Sequence, residues 1–247
     1  MDADVLDPDR EQGFLLIADM EGSTQSKFRL GEKEAFVLLR EHNRIIIERC
    51  RGATPVGGTV INSLGDAVVA KFPAGTDGTQ RRHALTSCLT AARRIVAAFE
   101  KLPPVRGGTP EEFWLRTKVT LQYYDAYRYG HGGESSEELV GADIDSAFRV
   151  SAISWRLQVL ATERFIAELL HSSNADGGST PDSQDSDRLD PQQILQAARA
   201  ARRQAARSSK PMLGIAIQLE LLGQSSYLEC WITDARKITR LKGLPDD

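Results

Sequence analysis

The sequence predicts an α+β domain, and three observations carry that prediction. Residues 13–18, GFLLIA, form an unbroken apolar run ending at Asp19, the pattern of a buried strand. Residues 59–64 (TVINSL) and 67–72 (AVVAKF) are β-prone and separated by Gly65-Asp66 alone, which is a hairpin signal. Helical patterns are interspersed with these runs without regular βαβ alternation, so α+β is preferred over a doubly wound sheet.

The first helical pattern runs from Thr24 to about Arg51, with Phe36, Leu39, Ile46 and Ile47 on one apolar face and Gly52 as the stop. A second, over 80–102, carries Leu85, Cys88, Leu89, Ala92, Ile95, Val96 and Phe99, and ends at Pro103-Pro104. Residues 113–129, FWLRTKVTLQYYDAYRY, are β-branched and aromatic and read as one or two strands. A short helix at 143–154, a strand at Leu157–Ala161 and a helix at 163–170 follow. Residues 171–187 are rich in Ser, Asp and Gly, a flexible composition. They lead into an Ala- and Arg-rich helix over 191–209 with Pro191 near its start. Its basic side is either a binding surface or an ordinary solvated face. Residues 212–222 and 226–233 read as a final hairpin. The expected organisation is a polar tail over 1–12 and one domain over 13–247, with an insertion at 171–210.

Composition narrows the class. The chain has 247 residues, 41% hydrophobic and 26% charged, enough for a proper core. A net charge of -3 gives no electrostatic case for a nucleic-acid partner. Cys50, Cys88 and Cys230 are widely spaced, which suits reduced thiols and neither a disulfide frame nor a zinc site. The acidic start and the lack of a long apolar run predict a cytoplasmic protein with no membrane partner.

Four segments together resemble the class III adenylate/guanylate cyclase catalytic domain. LLIADMEGST (15–24) is similar to its apolar strand, aspartate and small-residue turn, and GGTVINSLGDAVVAKF (57–72) to its metal-binding hairpin. VGADIDSAFRVSAIS (140–154) is similar to its Gly-x-x-Val-Asn-x-Ala-x-Arg helix, and LKGLPD (241–246) to the segment closing many bacterial members. The resemblance spans 13–170 and 211–246. It implies a ferredoxin-like βαββαβ core, an antiparallel homodimer with shared active sites, and two Mg2+ or Mn2+ ions per site.

The residues allow that chemistry. Hard divalent cations take oxygen ligands, and Asp19 and Asp66 would converge if their strands are neighbours. The Met20 carbonyl is a further candidate ligand, and the backbone amides of Glu21, Gly22, Ser23 and Thr24 could cradle phosphate at a helix start. Taken alone, Asp66 is also ordinary turn chemistry. By the resemblance, Arg149 is the transition-state arginine and Lys242 the lysine on the terminal phosphates, both supplied to the opposite subunit's carboxylates.

The chain departs from the family at the base-reading positions. Adenylate cyclases carry a lysine four residues before the second metal aspartate; here that position is Asn62. Seven residues before the catalytic asparagine they carry aspartate or threonine; here it is Glu138, with Gly141 in register. The asparagine itself is Asp145. The glutamate and cysteine of guanylate cyclases are also absent. An amide at Asn62 can pair with O4 and N3–H of uracil, and Glu138 can accept N3–H. This excludes adenine better than it separates uracil from guanine; the alternative for Asn62 is an ordinary strand filler. ADMEGST- and NSLGD-type motifs look like the bacterial pyrimidine cyclases of anti-phage defence, so the expected product is cyclic UMP, read by a separate effector. The alternatives are an atypical adenylate or guanylate cyclase, or a silent pseudo-cyclase retained for dimerisation. A diguanylate cyclase is disfavoured by the missing GG(D/E)EF signature.

Overall fold

β1 (Arg10–Met20) is the strand around which the domain is built. The computed structural model describes residues 9–102, 115–130, 137–152, 154, 159–174, 212–219, 229–234 and 238–242. After β1 come helices α1 (Ser23–Leu30) and α2 (Glu32–Arg51), then the hairpin β2 (Thr59–Leu64) and β3 (Ala67–Pro73). Helix α3 (Gly78–Glu100) leads to β4 (Thr117–Gly130), β5 (Glu137–Val140) and α4 (Ala142–Ser151). β6 (Val159–Thr162), α5 (Glu163–Asn174), β7 (Met212–Leu219), β8 (Glu229–Asp234) and β9 (Ile238–Lys242) complete the order.

The sheet runs β2-β3-β1-β4-β6-β7-β8-β9, with β5 on β4. Its first four strands are mutually antiparallel, β1 lying between β3 and β4. With α2 and α3 as crossovers, this is the expected ferredoxin-like βαββαβ core.

Alternation along β1 splits the core in two. Phe14, Leu16, Ala18 and Met20 join Ile46, Phe72, Leu85, Ile95 and Phe99 beneath α2 and α3. Leu15 and Ile17 face the other way, against Tyr124, Ala126, Ile144 and Ala147 under α4. Each fully buried large side chain contributes on the order of 2 kcal/mol.

Several boundaries differ from the expectation. The single helix from Thr24 is two, because Gly31 takes φ 86, a left-handed value that stops α1 and restarts the chain as α2. Phe36 is 58% exposed, so it lies outside the core face on which Leu39, Ile46 and Ile47 pack. Of the one or two strands expected over 113–129, the structure has one, β4, while β5 and β9 have no counterpart among the expected elements. The helix expected over 191–209, and the 171–210 segment beyond Asn174, lie outside the described residues. Among the described residues, no helix is long and apolar enough to cross a membrane.

Candidate active site

The strand register brings the two candidate metal carboxylates to one end of the sheet. Asp19 is the cross-strand partner of Ala67, the residue after Asp66, and the Met20 amide donates to the Asp66 carbonyl at 3.0 Å. Gly65, at φ 59, makes the tight turn that delivers Asp66 to this position. Burial pushes the Asp19 carboxyl above the ordinary aspartate range; Lys118 draws it down, and the charge of Asp66 pushes it up again.

Lys118 is the residue that sequence reasoning missed here. It is Asp19's register partner on β4, and its Nζ lies 2.9 Å from Asp19 Oδ2. Both side chains are mostly buried, so their attraction is less screened than a surface ion pair's, against the cost of taking both charges out of water. No local motif marks it; only the β1–β4 register does. The neighbouring Thr117 hydroxyl donates to the Asp19 carbonyl at 3.3 Å.

The Asp66 turn is held from below by α2. Asn43 Nδ2 donates to the Gly65 carbonyl at 3.1 Å and to Ser63 Oγ at 3.2 Å. Its Oδ1 lies 3.1 Å from Nδ1 of His42, a ring wholly buried against Phe99 at 5.0 Å between centroids. Burial holds the imidazole down at about 4, so it is neutral at ordinary pH. Neutral His42 carrying its proton on Nδ1 donates to Asn43 and so turns the amide's NH2 toward the hairpin. Sequence reading found neither residue, because each looks like routine helix sequence.

Ser23, at the start of α1, donates its hydroxyl to Asp66 Oδ2. Gly22 precedes α1 in a left-handed conformation, and no side chain caps the helix or places an acid in its first turn. The helix's own first turn thus adds no carboxylate; the one bonded there is that of Asp66, through Ser23. A cavity of about 410 Å³ opens there, lined by Met20, Ser23, Thr24, Lys27, Glu32, Ala35, Phe36, Leu39, Gly65 and Asp66. That volume is within the usual range for small-molecule sites.

The other candidates lie on separate elements. Asp145 and Arg149 are one turn apart on the exposed side of α4, whose Ile144, Ala147 and Val150 face the core. Asn62 is half-buried on β2, opposite Val69 next to a register shift, and Glu138 is exposed on β5 opposite Tyr129. β3, β1 and β4 lie between those two strands. Lys242 ends β9, five strands from β1 in the sheet.

Two carboxylates and a nearby backbone carbonyl are a hard-oxygen donor set that suits Mg2+ or Mn2+. Among the described residues, no group of three or more His, Cys, Asp and Glu side chains could hold a metal. Any cation held here therefore needs oxygens from a ligand as well, which is the usual way Mg2+ is bound with phosphate.

No family model matches the sequence, and no curated protein matches it. Solved structures do. The non-canonical dimeric guanylyl cyclase domain of the RhoGC fusion protein from the aquatic fungus Blastocladiella emersonii is similar at a TM-score of 0.51 and 15% identity, over 65% of this chain and 85% of that one. This is a nucleotide cyclase fold. The monomeric form of the same fungal domain gives 0.50 at 15% identity, over 66% and 87%. A bacterial light-regulated adenylyl cyclase gives 0.50 at 14% identity, over 66% of this chain and 46% of that one. At such identities the nucleotide cyclase likeness is one of architecture.

Proposed function

We propose that the chain is a metal-dependent nucleotide cyclase, working as a homodimer, that converts a nucleoside triphosphate to its 3′,5′-cyclic monophosphate and diphosphate. The observation that carries this reading is the convergence of Asp19 and Asp66 at adjoining strand ends, beside the uncapped start of α1. In the reaction the ribose 3′-oxygen bonds to the α-phosphorus, the bond from that phosphorus to the β-bridging oxygen breaks, diphosphate leaves, and the hydroxyl proton passes to solvent. Mg2+ or Mn2+ at this site would supply Lewis acidity to the 3′-hydroxyl and neutralise triphosphate charge. Asp19, Asp66 and the Met20 carbonyl would hold it. The amides of Gly22, Ser23 and Thr24 would position the phosphates; the Glu21 amide, expected to join them, instead donates to the Arg116 carbonyl at 3.1 Å. Lys118, freed from Asp19, would balance the phosphates' charge.

Arg149 and Asp145 on α4, and Lys242 on β9, are assigned to the partner's half of a shared site, Arg149 stabilising charge in the transition state. The exposure of Asp145 and Arg149, and the five-strand separation of Lys242 from β1, support that division.

UTP is the preferred substrate, read by Asn62 and Glu138. The likeness of the ADMEGST and NSLGD segments to bacterial pyrimidine cyclases supports a second-messenger role in anti-phage defence, with a separate effector. Incubation of the purified protein with each of the four nucleoside triphosphates and Mn2+, read by mass, tests both levels. Cyclic UMP from UTP is expected. Predominant cyclic AMP would overturn the base assignment and leave the enzyme class standing.

A second reading, a silent pseudo-cyclase serving dimerisation, is favoured by Asp145, a carboxylate where the family has an amide. It requires that no triphosphate yields a cyclic product.

A further inference from the structure

Resting on the cyclase reading above, we propose that Asp143 is a positioning residue that fixes the angle of α4, and with it Asp145 and Arg149, through a junction with β4 and α5. The junction occupies a gap in the sheet. β4 pairs with β6 over Val119–Leu121 and with β5 over Tyr127–Gly130, and among the described residues no strand covers that edge between them. Inside the gap, the Asp125 amide donates to Asp143 Oδ2 at 3.0 Å. A side-chain carboxylate thus replaces the missing strand partner for a backbone donor that would otherwise be orphaned.

The same oxygen accepts from Arg164 Nη1, in the first turn of α5. The Asp143 side chain is only 13% exposed in this pair, and the Arg164 guanidinium also lies over the Tyr123 ring, 5.5 Å from its centroid. One carboxylate therefore ties three elements. Gly141, just before α4, lies against β4 at ordinary packing distance: a Cβ there would stand 3.4 Å from Ala126 Cα. Asp143 also sits in the first turn of α4, where negative charge complements the helix dipole.

The geometry connects this junction to the chemistry. Asp145 and Arg149 project from the exposed side of α4 and have no tether of their own to the sheet among the bonds described above, so their direction follows the helix axis. A first turn released from β4 swings both at once. The expected signature is a turnover defect with substrate binding largely kept, since a misplaced transition-state group lowers kcat more than it raises KM.

Mixed dimers test the assignment. Asp143→Ala should lower kcat about tenfold with little change in KM, and Asp143→Asn, which keeps an acceptor for the Asp125 amide, should recover part of the loss. Co-expressing Asp143→Ala with Asp66→Ala subunits should restore turnover, because one site then pairs intact carboxylates with an intact α4. Co-expressing it with Arg149→Ala should not, because both defects fall on the same half-site. Restoration by Arg149→Ala but not by Asp66→Ala, restoration by neither, or wild-type turnover in Asp143→Ala would each overturn the proposal. If the parent protein forms no cyclic nucleotide, the cyclase reading fails by itself. Amide hydrogen exchange of α4 then still decides the junction: faster exchange over 142–151 in Asp143→Ala supports it, and unchanged exchange overturns it.

Discussion

Lys118 Nζ and Asp19 Oδ2 stand 2.9 Å apart at the strand end beside the Asp66 turn, so one cation of the protein itself already pairs with a candidate metal ligand. Lys118 opposes the effect of burial on the half-buried Asp19 carboxyl, and the pair must open when a divalent cation and triphosphate enter. Replacing Lys118 with Met removes that competition. Mn2+ binding without nucleotide, measured by titration calorimetry at a pH well above the carboxylate range, should tighten several-fold in Lys118→Met, because the cation no longer has to displace an ammonium from Asp19 or share the site with its like charge. Turnover should fall, since the triphosphate loses a counter-charge. Weaker Mn2+ binding in the variant would show that Lys118 organises the site instead of competing for it.

Asp66→Ala separates chemistry from architecture. The residue lies in a two-residue turn, its side chain accepts from Ser23, and it contributes nothing to either core cluster. Removing it should cost at least about a hundredfold in kcat if it holds the catalytic cation. The sedimentation profile and melting temperature should stay close to the parent's. A variant that keeps full turnover would remove Asp66 from the mechanism and, with it, the assignment of the metal site to Asp19 and Asp66.

Asn43 makes a subtler case, because it touches the Asp66 turn only through Ser63 Oγ and the Gly65 carbonyl. Asn43→Ala frees the turn without altering a carboxylate. The expected result is a several-fold rise in the Mn2+ concentration giving half-maximal activity, with kcat at saturating Mn2+ nearly unchanged. A loss of kcat that saturating Mn2+ does not repair would assign Asn43 some other task.

What the sequence disclosed and what it withheld divide along a physical line. Local signals were readable: the apolar run of β1, the Gly-Asp turn between β2 and β3, and the apolar face of α3 with Leu85, Cys88, Ile95 and Phe99 all in the core. The juxtaposition of Asp19 and Asp66 followed from strand adjacency and the resemblance. Lys118, Asn43 and Asp143 were not readable, since each acts through a partner between 20 and 99 residues away: Ser63, Asp19 and Arg164. Register and helix packing decide such pairs, and no motif encodes them. Gly31 was a legible signal overlooked, because a glycine inside a helical pattern is often tolerated.

His42 gives the fold a predictable acid response. Its ring is wholly buried, tilted against Phe99 with centroids 5.0 Å apart, and its Nε2 has no hydrogen-bond partner among the described residues, so burial depresses its proton affinity to a pKa of about 4 against 6.5 for the exposed imidazole. The depressed folded value sets the sign. Above pH 6.5 neither state binds the proton and the contribution to stability is complete. Between 6.5 and about 4 the unfolded chain takes up a proton that the folded chain refuses, and stability falls by up to about 3 kcal/mol. The nearby charge of Asp66 and the hydrogen bond to Asn43 work in the opposite direction but are outweighed by burial. His42→Asn keeps a donor near the Nδ1 position and removes the titrating ring. That variant should melt lower than the parent at pH 7.5, from the cavity it leaves, yet lose less on going from pH 7.5 to pH 4.5. Equal acid losses in the two proteins would mean that other groups, not His42, set the response.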